Sequence, residues 1–252
     1  MTDFHKEKAE TLRRAVVVGA SSGIGRSVAI LLLKDGWHVG IAARRSEPLE
    51  EIRRAFPNAV TLCSIDITEA DAPQRLQQMI EDMGGIDLYF HSSGYGSYNV
   101  ELLEELEEKT VLTNALGFTR MVDAAYSYFR SSGRKGHIAA ITSIAGTKGL
   151  GAAPSYSATK RFQWTYLEAL AQNAAITGTD VSFTDIRPGF VDTAFLSGKA
   201  YPMLLDKDDV AQSIVEAVKR HRRVVTIDFR YRILCFFWHL IPSAVWRRMR
   251  IR

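Results

Sequence analysis

The chain has 252 residues, 46% of them hydrophobic and 24% charged, enough apolar content to build the core of one α/β domain of ordinary size. Its formal net charge of +4 collects at one end, because the six residues Arg230, Arg232, Arg247, Arg248, Arg250 and Arg252 all follow the last acidic residue, Asp228. A body without excess basic charge excludes a nucleic-acid surface, which needs cations spread along a face, and the distant Cys63 and Cys235 offer neither a disulfide framework nor a metal motif.

The start, MTDFHKEKAE, mixes both charge signs and has no apolar core region, so it reads as part of a cytoplasmic protein and not as a secretory signal. Ala15 to Val18 is a short β-branched run, followed by the glycine turn GASSGIG and by apolar residues at helical spacing from Ile24 to Lys34. The alternation continues with a strand over His38 to Ala43, a helix over Pro48 to Phe56, a strand over Ala59 to Ile65, a helix over Ala72 to Met83 and a strand over Ile86 to Phe90. A long helix is predicted from about Val100 to Arg130, with the acidic run Glu101 to Glu108 on its solvated face and Leu112, Ala115 and Phe118 in the core. A strand over His137 to Thr142, a helix over Pro154 to Ile176, a strand over Val181 to Ile186, a helix over Asp208 to Arg220 and a final strand complete the pattern. Seven strands alternating with helices predict a single-domain doubly wound α/β fold over residues 14–228, a parallel sheet with helices on both faces and ligands beyond the carboxyl ends of the strands. Residues 1–13 form an extension and 229–252 a tail.

In the turn, Gly19, Ser21, Ser22, Gly23, Ile24 and Gly25 keep the first helix close to the strand, so that its free amides and positive end can face a pyrophosphate. The glycines are separated by three residues and then one, unlike the GxGxxG fingerprint. Tyr156 and Lys160 stand four apart on a predicted helix and share a face. A tyrosine ordinarily titrates at about pH 10 and a neighbouring ammonium favours its phenolate. Ser143, upstream of both, can donate to an oxygen that gathers charge. The second strand ends in Ala42, Ala43, Arg44 and Arg45, with no acidic residue for a ribose diol. An arginine there pairs with a 2′-phosphate, so Arg44, helped by Ser21 and Arg45, points to NADP.

These residues together resemble the short-chain dehydrogenase/reductase family in its compact form, a Rossmann-type fold, over about residues 14 to 228. The resemblance implies that Tyr156 is the general acid or base, that Lys160 holds the cofactor ribose and that Ser143 positions the substrate carbonyl. Asn114, in TVLTNALGF, matches an asparagine that kinks the long helix and holds a water linking the lysine to solvent. Asp66 and Ile67 would approach the adenine, with Thr68 the better helix cap, while Pro188, Gly189, Val191 and Thr193 in RPGFVDT would meet the nicotinamide. Where the family has Asn-Asn-Ala-Gly after the fourth strand, this chain has His91, Ser92, Ser93 and Gly94. Ser93 and Gly94 are still expected beside the cofactor, and His91 is read as a packed histidine. The segment from Gly146 to Pro154 and the loop from Phe195 to Leu205 should surround the substrate.

The tail, FRYRILCFFWHLIPSAVWRRMRIR, is rich in large apolar side chains, bounded by arginines and broken by Pro242. It is too short to cross a bilayer, which takes about 20 residues. Three readings stay open: an amphipathic segment on the inner face of an anionic membrane, a contact in a homo-oligomer, or a wall over the substrate cleft. Similar tails occur in relatives acting on lipid-linked keto-sugars. The expected activity is NADPH-dependent reduction of a ketone or aldehyde, hydrophobic or lipid-linked. The alternatives are an NAD-linked polyol or steroid dehydrogenase and a silent NADPH-binding membrane-surface protein. No metal is expected.

Overall fold

The structure, a computed structural model, describes residues 12–193 and 203–251. The expectations placed on 1–11, on 195–202 of the substrate loop and on Arg252 lie outside the described residues.

Seven strands, β1 (Arg14–Val18), β2 (His38–Ala43), β3 (Val60–Ser64), β4 (Leu88–His91), β5 (Gly136–Ile141), β6 (Val181–Pro188) and β7 (Val224–Ile227), form one parallel sheet in the order β3-β2-β1-β4-β5-β6-β7. In β1 the side chains alternate: Ala15 and Val17 enter one core, Val16 and Val18 the other. The first layer holds α1 (Gly23–Lys34), α2 (Glu47–Ala55) and α7 (Lys207–Lys219), with Leu32, Ile52, Val215 and Tyr231 among its buried residues. The second holds α3 (Ala72–Asp82), α5 (Phe118–Ser132) and α6 (Pro154–Thr177), with Leu76, Phe129 and Leu167. The strand order reverses between β1 and β4, and a crevice opens beyond their carboxyl ends.

The long helix of the sequence reading is in three parts: α4 (Glu104–Val111), one π-helical stretch over Leu112–Gly117, and α5. The acidic run is divided as well. Residues 101–103 precede α4, and Glu107 is no solvated side chain: its Oε1 accepts from Asn99 Nδ2 at 2.8 Å and its Oε2 from the Ser155 amide at 3.2 Å. Phe118 is fully buried as expected, but Leu112, the first residue of the π stretch, is 41% exposed.

After β7 the chain continues as α8 (Phe229–Leu240) and, past Pro242, the single turn α9 (Ser243–Trp246). Asp228 caps α8 by accepting from the Arg230 amide at 3.0 Å. Tyr231 is fully buried and Leu234 and Cys235 pack against the first core. Among the described residues no helix is long and apolar enough to cross a membrane.

Candidate active site

A cleft of about 370 Å³ runs along the carboxyl ends of the central strands from the glycine turn to Tyr156. Gly19 adopts φ +91°, and a Cβ there would lie 2.7 Å from the backbone of Ser92 and Ser93, so β1 and β4 close together only over a glycine. Ser22 precedes the first turn of α1, and Ser21, Ser22, Gly23 and Ile24 all line the cleft with that helix's positive end. Gly25 does not line it. A Cβ at Gly25 would meet Gly19 O and the Ser92 side chain, so it serves the approach of helix to strand, and Ser92 is small because α1 crosses there.

Arg44, Arg45, Asp66 and Ile67 form the far end of the cleft. Arg44 is exposed, with Nε 3.9 Å from Asp66 Oδ2. Asp66 Oδ1 accepts from both the amide and the hydroxyl of Thr68, at 3.0 and 2.8 Å, which fixes the turn leading away from β3. Thr68 is therefore no helix cap; Asp71 holds the N-cap position of α3. Ser93, Gly94, Pro188, Gly189, Val191 and Thr193 line the other flank.

At the near end, Ser143 accepts from the Ala145 amide at 3.1 Å, capping a short 3-10 turn (Ile144–Thr147), and its own hydroxyl bonds Tyr156. Burial raises the Tyr156 phenol above its ordinary value and the Ser143 bond opposes that rise. Lys160 is buried, its Nζ 5.7 Å from the centroid of the Tyr156 ring. Burial lowers the Lys160 ammonium to about 8, with the charge of Asp185 pulling the other way. Gly94 floors this corner: a Cβ on it would sit 3.6 Å from Lys160 Nζ.

Asn114 is fully buried in the π stretch, and its side chain brackets Tyr95, with Oδ1 accepting from the Tyr95 amide at 2.8 Å and Nδ2 donating to its carbonyl at 2.6 Å. Gln163 joins the lysine to the π stretch, accepting from Lys160 Nζ at 3.0 Å and donating to Asn114 O at 2.9 Å. His91 is buried beneath the site, its Nδ1 2.8 Å from the Tyr89 hydroxyl and its ring edge-on to Phe118, so it packs rather than faces the cleft.

A profile of the short chain dehydrogenase family matches residues 13–201, three quarters of the chain. The protein belongs to this family. An uncharacterized oxidoreductase of Myxococcus xanthus is 29% identical over 250 residues, covering 94% of this chain and 98% of its own. A structure of ElxO with NADP bound superposes with a TM-score of 0.78 at 23% identity, over 88% of this chain and all of that one. An alcohol dehydrogenase from Thermococcus sibiricus, complexed with 5-hydroxy-NADP, has a TM-score of 0.74 at 24% identity over 86% and 96% of the two chains. The chain is an oxidoreductase of the short-chain type.

Beneath this dehydrogenase site lies a ring of contacts that the sequence reading missed. Trp164 Nε1 donates to Thr142 Oγ1 at 2.9 Å, Thr142 donates to Asp185 Oδ1 at 2.6 Å, Arg187 Nε donates to Asp185 Oδ2 at 2.7 Å, and the Arg187 guanidinium lies 3.6 Å from the Trp164 ring centroid. Trp164 lies four residues beyond Lys160, and Thr142 directly precedes Ser143. The tail has anchor points that its sequence does not reveal. Trp246 Nε1 donates to Gly149 O at 2.7 Å and Lys148 Nζ to Ile241 O at 3.0 Å, tying both tail helices to the segment after β5. A second cleft opens there between Tyr98, Val100 and Leu150 on one side and Trp246, Arg247 and Met249 on the other.

Proposed function

We propose that this dehydrogenase reduces a ketone or aldehyde with NADPH, with Tyr156 giving its proton to the carbonyl oxygen. The observation that carries this reading is the Tyr156 hydroxyl held by Ser143 beside buried Lys160, all at one end of a cleft whose other end has Arg44. The residues present fit the nucleotide: the glycine turn leaves no side chain between β1 and β4, the start of α1 presents amides to a pyrophosphate, and Arg44 can pair with a 2′-phosphate. The nicotinamide supplies the hydride chemistry. The chain supplies the proton and the electrostatics: Ser143 steadies the oxygen that gains charge, and the Lys160 ammonium favours the phenolate that Tyr156 becomes.

The walls of the second cleft, Tyr98, Val100, Leu150, Trp246 and Met249, favour an apolar substrate body, and Arg247 and Arg250 beside them favour an anionic group on it. A screen of carbonyl compounds that follows NADPH oxidation tests the reaction, with turnover expected on hydrophobic ketones or aldehydes and failure on every compound counting against it.

The tail supports association with an anionic membrane surface. Phe229, Ile233, Phe236, Phe237 and Leu240 stand on one face of α8, each between 52 and 66% exposed, and no acidic residue follows Asp228. Deleting the tail would also remove buried Tyr231, so the cleaner test substitutes Phe236→Ser and Phe237→Ser together. Loss of sedimentation with anionic liposomes is the expected result. Exposed Val111, Leu112, Leu116 and Phe162 favour a homo-oligomer, which Leu116→Lys should split in sedimentation velocity.

A further inference from the structure

We propose that Gln163 is a positioning residue of this site, its side-chain amide fixing the Lys160 ammonium by tying it to the backbone of the π turn. Gln163 is fully buried, three residues past Lys160 and seven past Tyr156, on the same face of α6. Its orientation follows from the partners: only Oε1 can accept from an ammonium, and only Nε2 can donate to the Asn114 carbonyl. The π turn makes that carbonyl an acceptor. The Phe118 amide bonds Thr113 O and Ala115 O, and not Asn114 O as an α-helix would require, so Asn114 O takes its proton from Gln163 instead. A buried glutamine is costly unless both ends are paired, and here both are.

The consequence concerns Lys160. Two of its three N–H groups are spent inside the fold, on Ile141 O at 3.2 Å and on Gln163, which leaves the third for the cleft and the ribose of the proposed cofactor. The charged and titratable groups facing the ammonium are Tyr156 on its own helix, Asp185 on β6 with Arg187 paired to it, and His91 on β4, while Lys109 of α4 lines the same cleft over the Tyr95 ring. None of these replaces the neutral acceptor that Gln163 presents. Its loss makes the ammonium harder to keep, and a carboxylate in its place makes it easier.

The test follows the Lys160 titration by NMR of lysine labelled with ¹³C at Cε in the full chain without nucleotide, the signal being assigned with Lys160→Met. Gln163→Leu keeps the volume and removes the acceptor, and should lower the Lys160 midpoint by about one pH unit; Gln163→Glu should raise it by at least as much. NADPH titrated by fluorescence at pH 7 should bind about tenfold more weakly to the leucine variant and near parental affinity to the glutamate one. A purely structural glutamine would lower the melting temperature of both variants while leaving both midpoints in place, and that result overturns the proposal. Because the proposal rests on the NADPH reading only for the role of the third N–H, failure of the parent protein to bind NADPH would remove that reading while the opposite midpoint shifts still decide the role of Gln163.

Discussion

The ring of Tyr231, in the first turn of the tail helix, lies against the Cα of Gly189 in the loop that follows β6. Its hydroxyl accepts from the Phe190 amide at 3.2 Å and donates to the Met203 carbonyl at 3.0 Å. One side chain of the tail thus holds Phe190 and Met203 together at one flank of the cleft, and a Cβ at position 189 would enter the ring.

Tyr231→Phe keeps the packing and removes both hydrogen bonds. The variant should lose about 1–2 kcal/mol in urea unfolding and bind NADPH more weakly in a fluorescence titration. An unchanged NADPH affinity would separate the tail from the cofactor flank.

The ring formed by Thr142, Trp164, Asp185 and Arg187 predicts a sharp asymmetry. Burial raises the Asp185 carboxyl, and Arg187, Thr142 and Lys160 oppose that rise. Arg187→Met leaves the carboxylate buried without its ion-pair partner and should cost about 3–5 kcal/mol of stability, while the double variant Asp185→Leu, Arg187→Met should recover most of it. A double variant no more stable than the single one would show that the pair does not act as a unit.

His91 and His137 are buried as neutral imidazoles, each pushed down to about 3, chiefly by burial. An unfolded histidine titrates at about 6.5. Between those values the unfolded chain binds more protons than the folded one, so stability is full above about pH 6.5 and falls as pH drops. The loss should approach about 2.7 kcal/mol per pH unit for the two together. Urea midpoints between pH 7 and pH 5, above the range where most carboxylates protonate, check the slope, and a flat profile would mean that these rings are solvated.

Arg44→Ala removes the side chain assigned to a 2′-phosphate while leaving the glycine turn intact. NADPH affinity should fall by about tenfold to a hundredfold and NADH affinity should hardly change. Equal losses for both nucleotides would assign Arg44 to the pyrophosphate or to structure.

The sheet and most helices were legible because strand and helix periods alternate without interruption, and Pro242 marked the break between the tail helices. The cleft residues were legible for a different reason: most stand at or just beyond the carboxyl end of a strand, where the parallel topology brings them together, and Tyr156 and Lys160 share one face of α6 beside them. What escaped is contact that no short-range pattern encodes. Leu112 looked like core because it is apolar and stands beside the kink expected at Asn114, but it opens the π stretch with its side chain exposed. Gln163 carried a weak signal, a polar residue on the Tyr156 face of α6, but its partners lie on other elements. The ring around Asp185 joins β5, β6 and α6, and Trp246 reaches Gly149 across 97 residues, so neither is visible without the fold.

The central claim is that Tyr156 donates the proton. With Ser143, Lys160 and the cleft unchanged, Tyr156→Phe should bind NADPH as the parent does and lose about a hundredfold to ten-thousandfold of its carbonyl-dependent NADPH oxidation. Turnover at the parental rate with NADPH binding retained would contradict it.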